Sequence, residues 1–319
     1  MRPLKLVAKI TRLDHIRSLI AELSPHFGID ELHAAFGTTS MHETDLHESR
    51  RARRLPALRV SSWSRDRAGV GSRPESHHST SELTIASYNI HKAVGRDHRF
   101  APDRIVEVLK QIDADIVALQ EADQRFGARA GLLDLGLLHR KTGLRPVMIE
   151  TPWQGHGWHG NVVLFRDGHV TASRQIVLPG VEPRGALIID LSMGAADVRI
   201  VAAHLGLLRR SRSKQVEALV NASKPTDGRP VFLMGDLNEW RLGKKSTLHG
   251  LAPKFGPLHA AIPSFPARFP LWALDRIVGY PAETIARVEL HDTPLARIAS
   301  DHLPIKAIVT PSIGARQAH

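Results

Sequence analysis

From Leu83 onward the chain alternates short apolar runs with polar breaks, and the period of the apolar positions predicts the elements. LTIASYNI, starting at Leu83, alternates and is rich in β-formers. IVALQE, NVVLFR, ALIIDL, VRIVAAHL, PVFLMGDL, LDRIVGY and LPIKAIVT are short, mostly apolar runs that predict further strands. PDRIVEVLKQID puts Pro102 in a first helical turn and Ile105, Leu109 and Ile112 on one face. SKQVEALV is a second helix, with Val216, Leu219 and Val220 inward. Strands outnumber helices, and several follow one another with no helix between. That argues against a doubly wound parallel sheet and for sheets packed face to face with helices outside, within an α/β architecture. One ordered domain is expected over residues 83–312, followed by a short tail over 313–319.

Residues 1–82 read differently. Leu13, Ile16, Ile20 and Leu23 predict one short amphipathic helix. Beyond Gly37 the chain turns polar and irregular, as in SMHETDLHESRRARRLP and SSWSRDRAGVGSRPESHHSTS, with no sustained period. Such a stretch cannot bury enough apolar surface to offset its ordering entropy, so a largely disordered basic extension is expected. The RRARR run within it reads as a solvated tail rather than a phosphate site.

Composition narrows the function classes. Of 319 residues 42% are hydrophobic, enough for a sizeable core. The formal net charge is +11, and residues 1–82 hold 13 Lys and Arg against 10 Asp and Glu, leaving 30 against 22 for the rest. Most of the excess positive charge therefore belongs to the ordered region. It favours anionic partners: nucleic acid, phosphorylated small molecules or an acidic membrane surface. There is no cysteine, which excludes disulfides, thiolate nucleophiles and Cys-based zinc sites and suits a reducing cytoplasm. No apolar run approaches the roughly 18 residues of a membrane span, and MRPLKLVAKITRLDH lacks a signal-peptide h-region.

The informative polar residues stand at the ends of apolar strands: SYNIH, ALQEAD, VAAHLGL, LMGDLNEW and SDHLPI. A strand end at a sheet rim holds a group rigidly while leaving it open to solvent. One such residue is more often a cap or loop start, but five in one chain are hard to attribute to turn chemistry. Glu121 and Asp301 are hard oxygen donors suited to Mg²⁺, with Asn89 as a neutral supporting oxygen. Asp236 and Asn238, at i and i+2, lie on the same side of an extended segment, one to activate a water and the other to orient it. His204 and His302 can hold or protonate phosphoryl oxygens, and Asp275 can fix the tautomer of His302. His91 and Lys92 follow Asn89 and read first as loop residues that could reach a substrate phosphate. Arg184, with Arg209, Arg210, Arg212 and Lys214, forms either a basic rim or a charged helix start. Trp153, Trp158 and Trp240 lie in loops near the motifs, where Trp240 either lines the cleft or packs.

The strings SYNIH, LQEAD, HGN, AHLGL, GDLNEW, LDRI and SDHLPI, in that order, resemble the endonuclease/exonuclease/phosphatase superfamily, which includes DNase I-like nucleases. The resemblance covers about Leu83 to Thr310. It implies a four-layer α/β sandwich with a Mg²⁺ or Mn²⁺ site at one rim. The family's metal-ligand Glu falls on Glu121 and its first-strand Asn on Asn89. Its Asp-x-Asn pair falls on Asp236 and Asn238, its terminal Asp-His pair on Asp301 and His302, and its His-orienting Asp on Asp275. His204 matches the histidine of DNase I-like members. Asn161 matches a recurrent Gly-Asn, with a turn-forming role as the alternative.

Other chemistries fit less well. Ser300, Asp301 and His302 are adjacent and cannot form a triad, and no Gly-x-Ser-x-Gly elbow occurs. GKKS at 243–246 lacks the upstream glycine of a phosphate-binding loop and has Lys245 where Ser or Thr is required. No His-Glu-x-x-His helix exists among the 19 histidines. The expected reaction is metal-dependent attack of water on a phosphate ester, with the leaving group protonated by water or His204. The substrate is DNA or RNA in one reading and a small or lipid phosphate in another. A non-catalytic binding module is the third, though a purely binding surface has no need of Asp236 and Asn238.

Overall fold

The computed structural model describes residues 82–124, 130–152, 155–194, 196–223, 228–255, 258 and 261–311. The expectations for residues 1–81, for Trp153 and for the tail at 313–319 lie outside these. The chain divides after Glu75, and the described residues all belong to the second unit.

Apolar runs become strands where their two faces can both be covered. β1 (Leu83–Asn89), helix α1 (Pro102–Ile112) and β2 (Ile116–Gln120) form one parallel crossover unit. After helix α2 (Leu135–Thr142) come β3 (Arg145–Pro146), β4 (Val162–Phe165), β5 (His169–Leu178) and β6 (Arg184–Ser192). β7 (Asp197–Ala203), α3 (Arg209–Ala222) and β8 (Val231–Asp236) make a second parallel crossover. The chain finishes with the short α4 (Ala252–Phe255), β9 (Asp275–Tyr280), β10 (Ile285–Leu290), the short α5 (Ala296–Ala299) and β11 (Ile305–Val309). One sheet runs β10-β11-β1-β2-β4-β3 and the other β5-β6-β7-β8-β9.

Three apolar layers hold four layers of structure together. Ile85, Ile116, Val163 and Ala307 of the first sheet pack with Ile189, Ile200, Phe232 and Ile277 of the second. The alternate residues, such as Ala86, Tyr88, Val117 and Leu119, face outward against Ile105 and Leu109 of α1. On the far side Ile188, Val201, Leu233 and Val278 meet Val216 and Leu219 of α3. Each fully buried Ile or Leu in these layers stabilises by about 1.5–3 kcal/mol. The result is the helix–sheet–sheet–helix sandwich expected from the sequence.

The strands absent from the sequence reading are β3, β5 and β10, all at sheet edges. β5 is exposed along most of its length, so it carries no apolar signature to read. Among the described residues no helix is long and apolar enough to cross a membrane.

Candidate active site

Topology brings the scattered motifs to one place. Parallel neighbours end at the same rim, so β1 and β2 deliver Asn89 and Glu121 together, and β7 and β8 deliver His204 and Asp236. Antiparallel neighbours begin where these end. Asp275 opens β9 directly opposite Asp236, and Asp301 and His302 precede β11, which pairs antiparallel with β1. Asn161 precedes β4 and Arg184 opens β6, each antiparallel to a strand ending at this rim. Two hydrogen bonds join the rims of the two sheets. Asn89 Nδ2 donates to Asp236 Oδ2 at 3.0 Å, and Asn161 Nδ2 donates to the Gly185 carbonyl at 3.0 Å.

Asp236 is the centre of the cluster. The Asn238 backbone N–H donates to its Oδ1 at 3.0 Å, while Asn238 Nδ2 donates to the Leu205 carbonyl at 2.9 Å. His204 Nε2 lies 3.5 Å and His302 Nε2 3.7 Å from Asp236 Oδ2. The buried carboxyl loses hydration, which pushes it up to about 6 against the pull of His302. His302 Nδ1 bonds Asp275 Oδ2 at 2.8 Å, and the Ser264 hydroxyl donates to the same oxygen. Burial alone would lower the His302 imidazole, but Asp275 and Asp236 carry it up to about 10. Its ring also packs on Phe265, with centroids 4.6 Å apart.

The second histidine is oriented differently. Arg184 Nη1 lies 3.0 Å from His204 Nδ1. A guanidinium can only donate, so Nδ1 is the acceptor and the ring hydrogen sits on Nε2, facing Asp236. Arg184 is therefore bonded within the cluster rather than standing in a solvent-facing rim. Arg212 also departs from the rim reading. It is fully buried, bonds the Gly206 carbonyl at 3.2 Å and lies 3.7 Å from Glu239 Oε2. Glu239 in turn accepts from Thr247 N and Oγ1 and from Arg241 N, pinning the loop that follows Asn238. Trp240 packs under Arg212 and Arg241 rather than standing free in the cleft.

Glu121 and Asp301 form the acidic side. Lys92 Nζ lies 2.7 Å from Glu121 Oε2, and His91 Nδ1 lies 3.9 Å from Asp301 Oδ1. Burial would raise the Glu121 carboxyl, but attraction to the neighbouring His204, Lys92 and His91 side chains holds it down at about 2. Asn89 Oδ1 accepts from His91 N at 3.0 Å, so this amide couples the acidic side to Asp236. The donor chemistry fits a hard cation. Both carboxylates are about three-quarters covered, and each already faces a cationic or imidazole group. Among the described residues no group of three or more His, Asp or Glu side chains is arranged to hold a metal ion by itself. Mg²⁺ does not need one, because it keeps several waters and binds through one or two carboxylates plus substrate oxygens.

Backbone strain marks the same rim. His91, Lys92, Ala93, Glu121 and Asn238 all have positive φ, between 45° and 57°. Each such non-glycine residue costs about 1–2 kcal/mol and persists only where its surroundings fix it. Ser264 and Ser300 are the partners whose roles could not be read from the chain. Ser300 Oγ donates to the Asn89 carbonyl at 2.8 Å and accepts from His302 N at 3.3 Å. A lone serine in a polar loop carries no spacing signal.

The model of the Endonuclease/Exonuclease/phosphatase family matches residues 86–302. An uncharacterized protein of Escherichia coli, YbhP, is 30% identical over 249 residues, 70% of this chain and 94% of that relative. Among solved structures, an endonuclease/exonuclease/phosphatase from Beutenbergia cavernae superposes with a TM-score of 0.55 at 20% identity, over 72% of each chain. D. rerio TDP2 complexed with single strand DNA product superposes with a TM-score of 0.50 at 17% identity, over 72% of this chain and 98% of that one. The structural likenesses carry the fold, while the family model spans both the Asn89 and the His302 ends of the cluster, and the chain belongs to the endonuclease/exonuclease/phosphatase family.

Proposed function

We propose that the chain is a divalent-metal-dependent hydrolase of phosphodiesters that works by in-line attack of a water activated at Asp236. The observation that carries this reading is the setting of that carboxylate. It is buried, fixed by two hydrogen bonds and faced by two imidazoles that are themselves oriented by Arg184 and Asp275. A carboxyl pushed up to about 6 is matched to accepting a proton near neutrality. Asn238 holds the Asp236 side chain through its backbone and, at the positive-φ turn, faces its amide to the Leu205 loop. His302, kept cationic by Asp275, and the Nε2–H of His204 stabilise charge growing on the phosphoryl oxygens.

Glu121 and Asp301 would hold Mg²⁺ or Mn²⁺, with Asn89 beside them. When bound, the cation neutralises developing charge on the phosphate. His91 and Lys92 stand against these carboxylates and are placed to meet a substrate phosphate. Arg184 acts on the substrate through His204, and Asn161 through the backbone of β6. Nucleic acid is the favoured substrate class, supported by the net positive charge of residues 83–319 and by the single-strand DNA product in the D. rerio TDP2 neighbour. A cytoplasmic setting suits the cysteine-free sequence.

The purified full chain is expected to hydrolyse bis-p-nitrophenyl phosphate with Mg²⁺ or Mn²⁺, to fall to the uncatalysed rate on chelation and to recover when metal is restored. Turnover that survives chelation refutes the metal assignment. A second expectation follows from Asp236. Its carboxyl must be ionised to accept a proton, so kcat/KM rises with pH through a single limb near 6. A profile that is flat between about pH 5 and 8 removes Asp236 as the base.

A further inference from the structure

Helix α3 leaves the rim only a few residues after His204, and it opens with cations. Arg210 and Lys214 are four residues apart and so share a face, with Arg209 beside them, and all three are exposed. The helix begins without a side-chain cap and with no acidic residue in its first turn. Positive charge at that end opposes the helix dipole, a local cost that a bound anion reverses. Across from it the Gly243–Lys245 and Thr247–Leu251 turns follow the Asp236–Asn238 loop and present exposed Lys244 and His249. Between the two walls runs a groove of about 950 Å³, in which Glu217 is the sole carboxylate among the described residues. Among the described residues Arg209, Arg210, Lys214 and Lys244 make no ion pair. Both walls thus spring from loops that carry residues of the Asp236 cluster.

We propose that this groove binds the phosphodiester backbone of a single-stranded nucleic acid whose reacting phosphate lies at Asp236, an inference that rests on the hydrolase reading. Cations on two facing walls suit several successive phosphates better than one. Among the described residues no Phe, Tyr or Trp lines the groove, so the contacts fall mainly on the backbone rather than on stacked bases. Recognition is then insensitive to base sequence and strongly dependent on salt.

The test uses the full chain carrying Asp236→Asn, so that substrate is bound but not consumed. Fluorescein-labelled DNA and RNA strands of about 12 nucleotides, a length suited to a single-strand groove, are titrated in EDTA across about 50–200 mM salt. Adding Arg210→Ala and Lys244→Ala is expected to weaken binding at least about tenfold and to flatten the log–log salt slope by about 1.4, or 0.7 per lost phosphate contact. The charge-preserving pair Arg210→Lys and Lys244→Arg is expected to retain both affinity and slope. Thermal melts establish that the variants are folded. Unchanged affinity and slope in the alanine pair overturns the proposal, as does binding to phosphatidylserine vesicles with none to either oligonucleotide. Failure of the hydrolase reading shows separately, as wild-type protein that leaves bis-p-nitrophenyl phosphate intact with Mg²⁺.

Discussion

Asp236→Asn is expected to lower kcat/KM on bis-p-nitrophenyl phosphate by about 10³-fold, because it removes the proton acceptor while leaving the shape of the side chain. The local hydrogen bonds sharpen this expectation. Asn238 N–H points at one oxygen of Asp236, and Asn89 Nδ2 with the two histidine Nε2 atoms crowds the other. An amide must place its NH₂ group against one of these donor sets, and neither orientation satisfies it. That mismatch costs about 1–3 kcal/mol. It is opposed by relief from burying a carboxylate that burial already disfavours. The variant should therefore stay folded by circular dichroism and melt within a few degrees of the parent. Wild-type turnover in a folded Asp236→Asn protein would refute the assignment of the base. Unfolding of the variant would shift the question to Asn89→Ala, which removes one donor to Asp236 and keeps its charge.

The rim was legible in the sequence for a simple reason. A strand buried on both faces reads as an unbroken apolar run, so the polar residue ending it stands out. Asn89, Glu121, His204 and Asp236 each follow or close such a run, His302 stands just before one, and the order of the runs carried the family resemblance. The edge strands were not legible, because β5 and β10 expose much of their surface and lack that contrast. Arginine was the hardest residue type to read. Arg184, Arg209, Arg210 and Arg212 look alike in the chain, yet one bonds His204, two line a groove and one is buried against Glu239. Only the helical phase of α3 separates Arg212 from its neighbours. Its inward position aligns with Val216 and Leu219, and a basic residue on that face gave no apolar signal.

Gly235→Ala is expected to be the most damaging single methyl in the described domain. Gly235 lies in β8 with φ 152°, a conformation that L side chains rarely adopt. A Cβ there would stand 1.8 Å from the Ala203 carbonyl oxygen, a backbone atom that cannot rotate away. Ala203 closes β7, the parallel neighbour of β8, so relief requires the two strands to separate at the rim. The expected loss is about 4–5 kcal/mol, read as a shift of the urea midpoint at unchanged m. Separation there also moves His204, which follows Ala203, away from Asp236, which follows Gly235. At a temperature where the variant is still folded, kcat/KM should fall by about 10²-fold, the penalty of a misplacement near 1 Å. Gly243→Ala is the control. Gly243 has φ 61° but open space around its Cβ position, so only the backbone penalty of about 1–2 kcal/mol applies. Equal losses in the two variants would mean that strain alone, and not the close approach of β7 to β8, explains the glycine beside Asp236.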